Sequence, residues 1–202
     1  FLKPDMLDAS AEEQVEIRCK TGLRLPLVDL RVVDEDMHDL PHDGHSSGEI
    51  VVRAPWLTQG YLKDRKNSET LWAGGYLHTG DVASIDERGY LKISDRIKDV
   101  IKIGGEWISS LELEDIIGHH PSVSEVAVIG QPDERWGERP LALVVAEPDP
   151  VKLPTEKQIV AHIQEYTQTG IISKPGLLTR VRFVAAIDKT SVGKVDKKAL
   201  RS

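Results

Sequence analysis

The sequence predicts an α+β protein in two parts: a mostly β N-terminal subdomain over residues 1–96, and a small α+β C-terminal domain over residues 97–202 with a short sheet flanked by helices. Three observations predict it. Short runs of alternating apolar and polar residues recur through the first half, as half-buried strands require. In the second half, capping patterns at Ser109 and Thr155 open segments whose apolar residues recur at helical spacing. Between the halves, the patterning switches within a polar cluster at Asp95 to Lys98, which sets the boundary.

Each element has its own signal. Ser10-Ala11-Glu12-Glu13 is a capping box, so a short helix is expected to run to about Lys20. Residues 27–34 alternate, with Val28, Leu30 and Val32 against Asp29 and Arg31, and read as a strand. Residues 39–47 are turn-rich, and 48–54 form the next strand. Short strands are expected around Gly75-Tyr76, at Val82 to Ile85 and, after an Asp86-to-Gly89 turn, at Tyr90 to Ile93. Ser109-Ser110-Leu111-Glu112 then caps a helix whose Leu113, Ile116 and Ile117 share a face. Val123 to Gly130 and Leu141 to Ala146 are apolar strands, and Thr155 to Gln158 caps a helix bearing Ile159, Ile163 and Tyr166.

Composition narrows the function. With 40% apolar and 29% charged residues over 202 positions, the chain is globular and long enough to bury a core. A net charge of -7 argues against a general nucleic-acid binder, which needs a basic face. The longest wholly apolar run, Leu141 to Ala146, is too short for a membrane span, and no leader pattern opens the chain. With its single cysteine, Cys19, this points to a soluble, cytoplasmic protein. The start at Phe1 suggests a piece of something longer. The tail from Arg180 to Arg201 is rich in Lys and Arg, and reads either as a solvated terminus or as a surface for an anion.

Three segments stand out chemically. In His78-Thr79-Gly80-Asp81, at an expected strand end, the glycine admits a close ligand and Asp81 can accept from two vicinal hydroxyls such as those of ribose; taken alone it reads equally as an Asx-type turn. In the stretch from Ser94 to Ser110, the charges of Asp95, Arg96, Lys98, Asp99 and Lys102 surround a short apolar element broken by Gly104-Gly105. In Asp188 to Asp196, a flexible Thr/Ser/Gly loop ends on Lys194, which can stabilise charge developing on a phosphoryl or carboxylate oxygen or can simply be a surface lysine. It is no Walker loop, because Asp188 stands where the first glycine belongs. His38, His42 and His45 lie in a turn region without a metal scaffold, His119-His120-Pro121 reads as a helix end, and Cys19 has no evident base.

Taken together, these segments resemble the C-terminal third of an AMP-forming acyl-CoA synthetase of the adenylate-forming superfamily. The resemblance covers nearly the whole chain. It is carried, in order, by Gly48-Glu49-Ile50, Gly60-Tyr61-Leu62, Gly75 to Asp81, Asp95 to Lys102, Gly105-Glu106-Trp107-Ile108, Glu138 to Leu141 and the Lys194 loop. Each is weak alone, and the ordered set is specific. The resemblance implies a two-step reaction on a carboxylic, most simply a fatty, acid: ATP gives acyl-AMP, then the thiol of coenzyme A displaces AMP. It implies that Asp81 holds the ribose hydroxyls, that Arg96 contacts the nucleotide and that Lys98 is the hinge between two domains. Lys194 then bridges carboxylate and phosphate oxygens in the first step only. After a swing about the hinge, Gly104 and Gly105 leave room for the pantetheine arm, with Lys102 facing the site and Trp107 either lining the channel or packing beneath it.

Two departures are mild: Tyr76 stands where the family often has Trp or Phe, and Asp188 where a proline is frequent. The phosphate loop, the magnesium-binding glutamate and the acyl pocket belong upstream in relatives. The chain is therefore expected to need that N-terminal part and to be inactive alone, with no metal site of its own. The alternatives are an adenylating enzyme with another acceptor, such as a carrier-protein thiol, and a noncatalytic interaction module.

Overall fold

The computed structural model describes residues 2–148 and 153–201. It is α+β, and the chain divides into two compact units, one ending at Lys98 and the other starting at Asp99.

The first unit is built on a four-stranded antiparallel sheet in sequential order: β1 (Asp29–Val33), β2 (Gly48–Arg53), β3 (Leu77–Ile85) and β4 (Leu91–Arg96). One face buries Val32, Ile50, Ala83 and Ile85 together, the inward half of the alternation visible in the sequence. Helix α1 (Ala11–Cys19) starts at the expected capping box, with Ser10 accepting from the Glu13 amide and Glu13 reaching back. A second helix, α2 (Arg65–Leu71), is capped by Asp64. The sequence reading missed it, because RKNSETL buries no residue and so carries no apolar stripe.

The second unit holds a five-stranded sheet. Strands β5 (Ile101–Ile103) and β6 (Glu106–Ile108) form a hairpin, β7 (Val123–Asp133) and β8 (Gly137–Ala146) a long antiparallel pair, and β9 (Arg180–Phe183) runs parallel to β8. Helices α3 (Ser110–Gly118) and α4 (Glu156–Gln168) cover one face, where Leu113, Ile116, Ile117, Ile159 and Ile163 join Val128, Ala142 and Val144 in the main core. The other face packs Ile129, Leu141 and Leu143 against Val184 and Leu200, the latter from the terminal helix α5 (Lys197–Leu200). A sheet covered on both faces explains why β7 and β8 are runs of apolar residues rather than alternating ones.

Candidate functional site

Asp81 lies inside β3, and not at a strand end as the sequence suggested. The ladder to β2 pairs Val51 with His78 but Glu49 with Val82, so the strand is irregular around Gly80, which sits at φ +70°. Glu49 bridges the irregularity. One of its oxygens accepts from the Gly80 amide at 3.2 Å, the other meets His78 Nδ1 at 2.8 Å, and Thr79 donates its hydroxyl to Ile50 O at 2.9 Å. In the sequence Glu49 stands out only as part of the Gly48-Glu49-Ile50 motif, at the head of the strand it shares with Ile50 to Val52. On the far side of β3, Asp81 pairs in register with Arg96 of β4, and the guanidinium Nε lies 2.7 Å from Asp81 Oδ1. Arg96 is the more exposed of the two, with 61% of its side chain accessible against 25% for Asp81. The pair presents a carboxylate and a guanidinium side by side, a set that can accept from hydroxyls and donate to phosphate.

Lys98 is exposed in the turn that follows β4. Just before it, the Ile97 amide donates to Gly80 O at 2.9 Å, within the first unit. Just after it, Asp99 Oδ1 meets the Arg201 guanidinium at 2.9 Å, within the second. Lys98 is thus the residue between the last anchor of one unit and the first anchor of the next.

Gly104 and Gly105 are the two-residue turn of the β5/β6 hairpin, at φ +57° and +93°, which satisfies the type I′ requirement for positive φ at both central positions. The turn is held from outside: the Gly104 amide donates to Trp136 O at 2.9 Å, and the Lys102 amide to Glu138 at 2.8 Å. Both glycines are exposed, and a Cβ on Gly105 would meet nothing within 4 Å, so its backbone is open to an approaching chain. Lys102 and Trp107 face each other across the hairpin, the ammonium 5.0 Å from the indole centroid.

Lys194 is exposed on a closed loop. Lys189 and Val195 bridge, the Thr190 amide donates to Lys194 O at 2.7 Å, the Gly193 amide donates to Thr190 O at 2.9 Å, and Gly193 turns the chain at φ +79°. Among the described residues the Lys194 ammonium has no ion-pair or hydrogen-bond partner. Several of its basic neighbours do: Lys189 pairs with Glu125, Lys197 with Glu114 and Arg201 with Asp99. Three of the seven Lys and Arg residues of the basic tail are thus paired with the chain's own carboxylates.

The weaker candidates stay apart. Asp43 accepts from the amides of Ser46 and His45, which holds its carboxyl at about 2, and Asp34 organises the turn at His38 in the same way. These are Asx-type turns. Among the described residues no three His, Cys, Asp or Glu side chains converge as metal ligands. Cys19 is exposed and unpaired. His120 contacts His162 edge-on at 5.4 Å, and partial burial followed by that neighbour lowers its pKa. No described helix is long and apolar enough to cross a membrane.

Comparison with known proteins gives a consistent result. Residues 112–194 match the AMP-binding enzyme C-terminal domain. The chain is 42% identical over 202 residues to a long-chain-fatty-acid–CoA ligase of Thermus thermophilus, covering all of this chain and 36% of that protein. It is 44% identical over 193 residues to a 3-methylmercaptopropionyl-CoA ligase of Ruegeria lacuscaerulensis, covering 94% of this chain and 34% of that protein. The solved amide bond synthetase McbA from Marinactinospora thermotolerans superposes with a TM-score of 0.73 at 33% identity, over 92% of this chain and 36% of that one. The chain spans about a third of the length of the relatives it matches.

Proposed function

We propose, from the match of residues 112–194 to the AMP-binding enzyme C-terminal domain, that the chain is the C-terminal part of an ATP-dependent, AMP-forming acid–thiol ligase. In the first half-reaction a carboxylate oxygen of the acid attacks the α-phosphorus of ATP and pyrophosphate leaves. In the second, the sulfur of coenzyme A attacks the acyl carbonyl and AMP leaves. Asp81 accepts from the ribose hydroxyls and Arg96 contacts the nucleotide phosphate. Lys194 bridges the carboxylate and phosphate oxygens while charge develops, a contribution confined to the first step. Rotation about Lys98 then withdraws Lys194 and offers the Gly104-Gly105 turn to the pantetheine arm, with Lys102 and Trp107 beside it. No step assigned to these residues runs through magnesium, whose ligand is proposed to lie upstream.

The observation that carries this reading is the state of Lys194: among the described residues its ammonium has no partner on an exposed loop, while Lys189 and Lys197 on either side are paired. A lysine kept free in a network that neutralises its neighbours is available for a substrate. The acid is proposed to be a fatty acid, on the likeness to the Thermus ligase. In the cell the enzyme is placed in the cytoplasm, in keeping with the unpaired, exposed Cys19. A second reading, with an acceptor other than coenzyme A, is favoured by the likeness to an amide bond synthetase.

Lys194→Ala in the full-length ligase tests the proposal. Acid-dependent pyrophosphate exchange is expected to fall by about a hundred- to a thousandfold, the usual cost of losing one charge-stabilising group. Thioester formation from supplied acyl-AMP is expected to persist. An equal fall in both half-reactions contradicts the role given to Lys194. Offering a pantetheinylated carrier or an amine in place of coenzyme A separates the two acceptor readings.

A further inference from the structure

The Lys194 loop is held at its base by two ion pairs of unequal kind. On its first leg, Lys189 Nζ meets Glu125 Oε1 at 2.6 Å, with the side chains 44% and 42% exposed. On its second leg, Lys197 Nζ meets Glu114 Oε1 at 2.8 Å and donates to Ser110 Oγ at 2.7 Å. Here the side chains are only 12% and 16% exposed, and Ser110 is fully buried. The same Glu114 oxygen accepts from the Val128 amide at 2.8 Å, so one carboxylate joins α3, β7 and the start of α5. The Asp196 amide donates to Asp188 O at 2.9 Å and closes the loop immediately before Lys197. Exposed pairs contribute little, whereas removing one partner of a buried pair leaves an uncompensated charge.

We propose that Lys197 and Glu114 are positioning residues for the adenylation step: their buried pair, shared with Ser110, fixes the second leg of the loop and thereby the place from which Lys194 reaches the reacting oxygens. The proposal rests on the role given to Lys194 in the preceding reading. A flexible lysine contributes to a transition state only if its backbone is held, since a misplacement of about 1 Å can cost about a hundredfold in rate. The hairpin bearing Gly104 and Gly105 has ties of its own, to Trp136 and Glu138. Loss of the Lys197 anchor is therefore expected to disturb the Lys194 loop more than the hairpin.

The test compares Lys197→Met, Lys197→Arg, Glu114→Gln and Lys189→Met with Lys194→Ala in the full-length ligase. Acid-dependent pyrophosphate exchange and thioester formation from supplied acyl-AMP are measured for each. Lys197→Met is expected to lower kcat for exchange by about a hundredfold with the KM for ATP little changed, to leave thioester formation within about twofold, and to be largely rescued by Lys197→Arg. Lys189→Met is expected to change exchange by no more than about fivefold, as befits an exposed pair. If Lys197→Met does not fold, Glu114→Gln, which keeps an acceptor for the Val128 amide, carries the same expectation. Exchange that survives both changes while Lys194→Ala abolishes it overturns the inference alone. Equal losses in both half-reactions also overturn it, because a general loss of structure explains them. Exchange that survives Lys194→Ala overturns the underlying reading instead.

Discussion

The Asp81–Arg96 pair and the Lys194 loop are built in opposite ways. Asp81 and Arg96 face each other across a sheet, mutually paired at 2.7 Å, with Glu49, Thr79 and Gly80 fixing the backbone beside them. Lys194 has a closed backbone loop and an ammonium without a partner among the described residues. On the proposed roles, a group that holds the nucleotide through both half-reactions gains from being locked before the substrate arrives, and a group used in one half-reaction must be able to leave, so its anchor lies in the loop's base and not in its side chain.

The comparison breaks most severely if the two units do not fold as separate bodies. Ile163 is fully buried in the core of the second unit, and Ile163→Ala is expected to cost about 2–5 kcal/mol. Hydrogen exchange should then show α3, α4 and β7 losing protection while β1 to β4 keep theirs. Equal loss in β3 contradicts the division at Lys98. Next in size, Asp81→Asn is expected to weaken ATP binding by about ten- to a hundredfold, from the loss of charged hydrogen bonds of about 1.5–3 kcal/mol. Unlike Lys194→Ala it should impair both half-reactions, and a selective effect on one would erase the distinction between the sites. Lys98→Pro, which fixes φ at the residue between the two anchors, is expected to slow the complete reaction while leaving pyrophosphate exchange in place.

The smallest effect is a pH dependence confined to the second unit. Burial, then the neighbouring His162, depresses the pKa of His120 in the folded state. The folded protein therefore binds fewer protons than the unfolded chain as the pH falls from about 6.5. The stability linked to His120 is present above that value and is lost as the pH drops through the folded pKa. Urea unfolding of His120→Gln against the parent should show a flatter dependence between neutral and mildly acidic pH, and parallel curves would remove this contribution.

Much of the fold was legible because its signals are local. Ser10 with Glu13 and Thr155 with Gln158 form reciprocal caps, and Ser109 accepts from the Glu112 amide, where the sequence places helix starts. The Gly104-Gly105 pair reads in the sequence only as a break in a short apolar element, and the hairpin turn is what the structure adds. Other features depend on contacts the sequence does not display. The exposed α2 has no apolar period, and β9 exists because Arg180 to Phe183 add to β8, from which they are distant in the chain. The ion pair of Lys197 with Glu114 was hidden for the same reason: a lysine in a basic tail looks solvated until the fold brings a buried carboxylate to it. Asp81, Arg96 and the Lys194 loop were legible as a set only through a family's ordered motifs, since each alone reads as an ordinary turn or surface charge.

The central claim, that one small unit serves two half-reactions with two different surfaces, is tested most directly by crossing two substitutions against two assays. Lys194→Ala and Gly105→Ala are each measured in pyrophosphate exchange and in thioester formation from supplied acyl-AMP, the Gly105 change adding a Cβ that meets nothing within 4 Å inside the protein but strains the turn at φ +93°. The expected pattern is reciprocal, with exchange lost in the first variant and retained in the second, and thioester formation the reverse. Parallel losses in both assays for either variant contradict the claim.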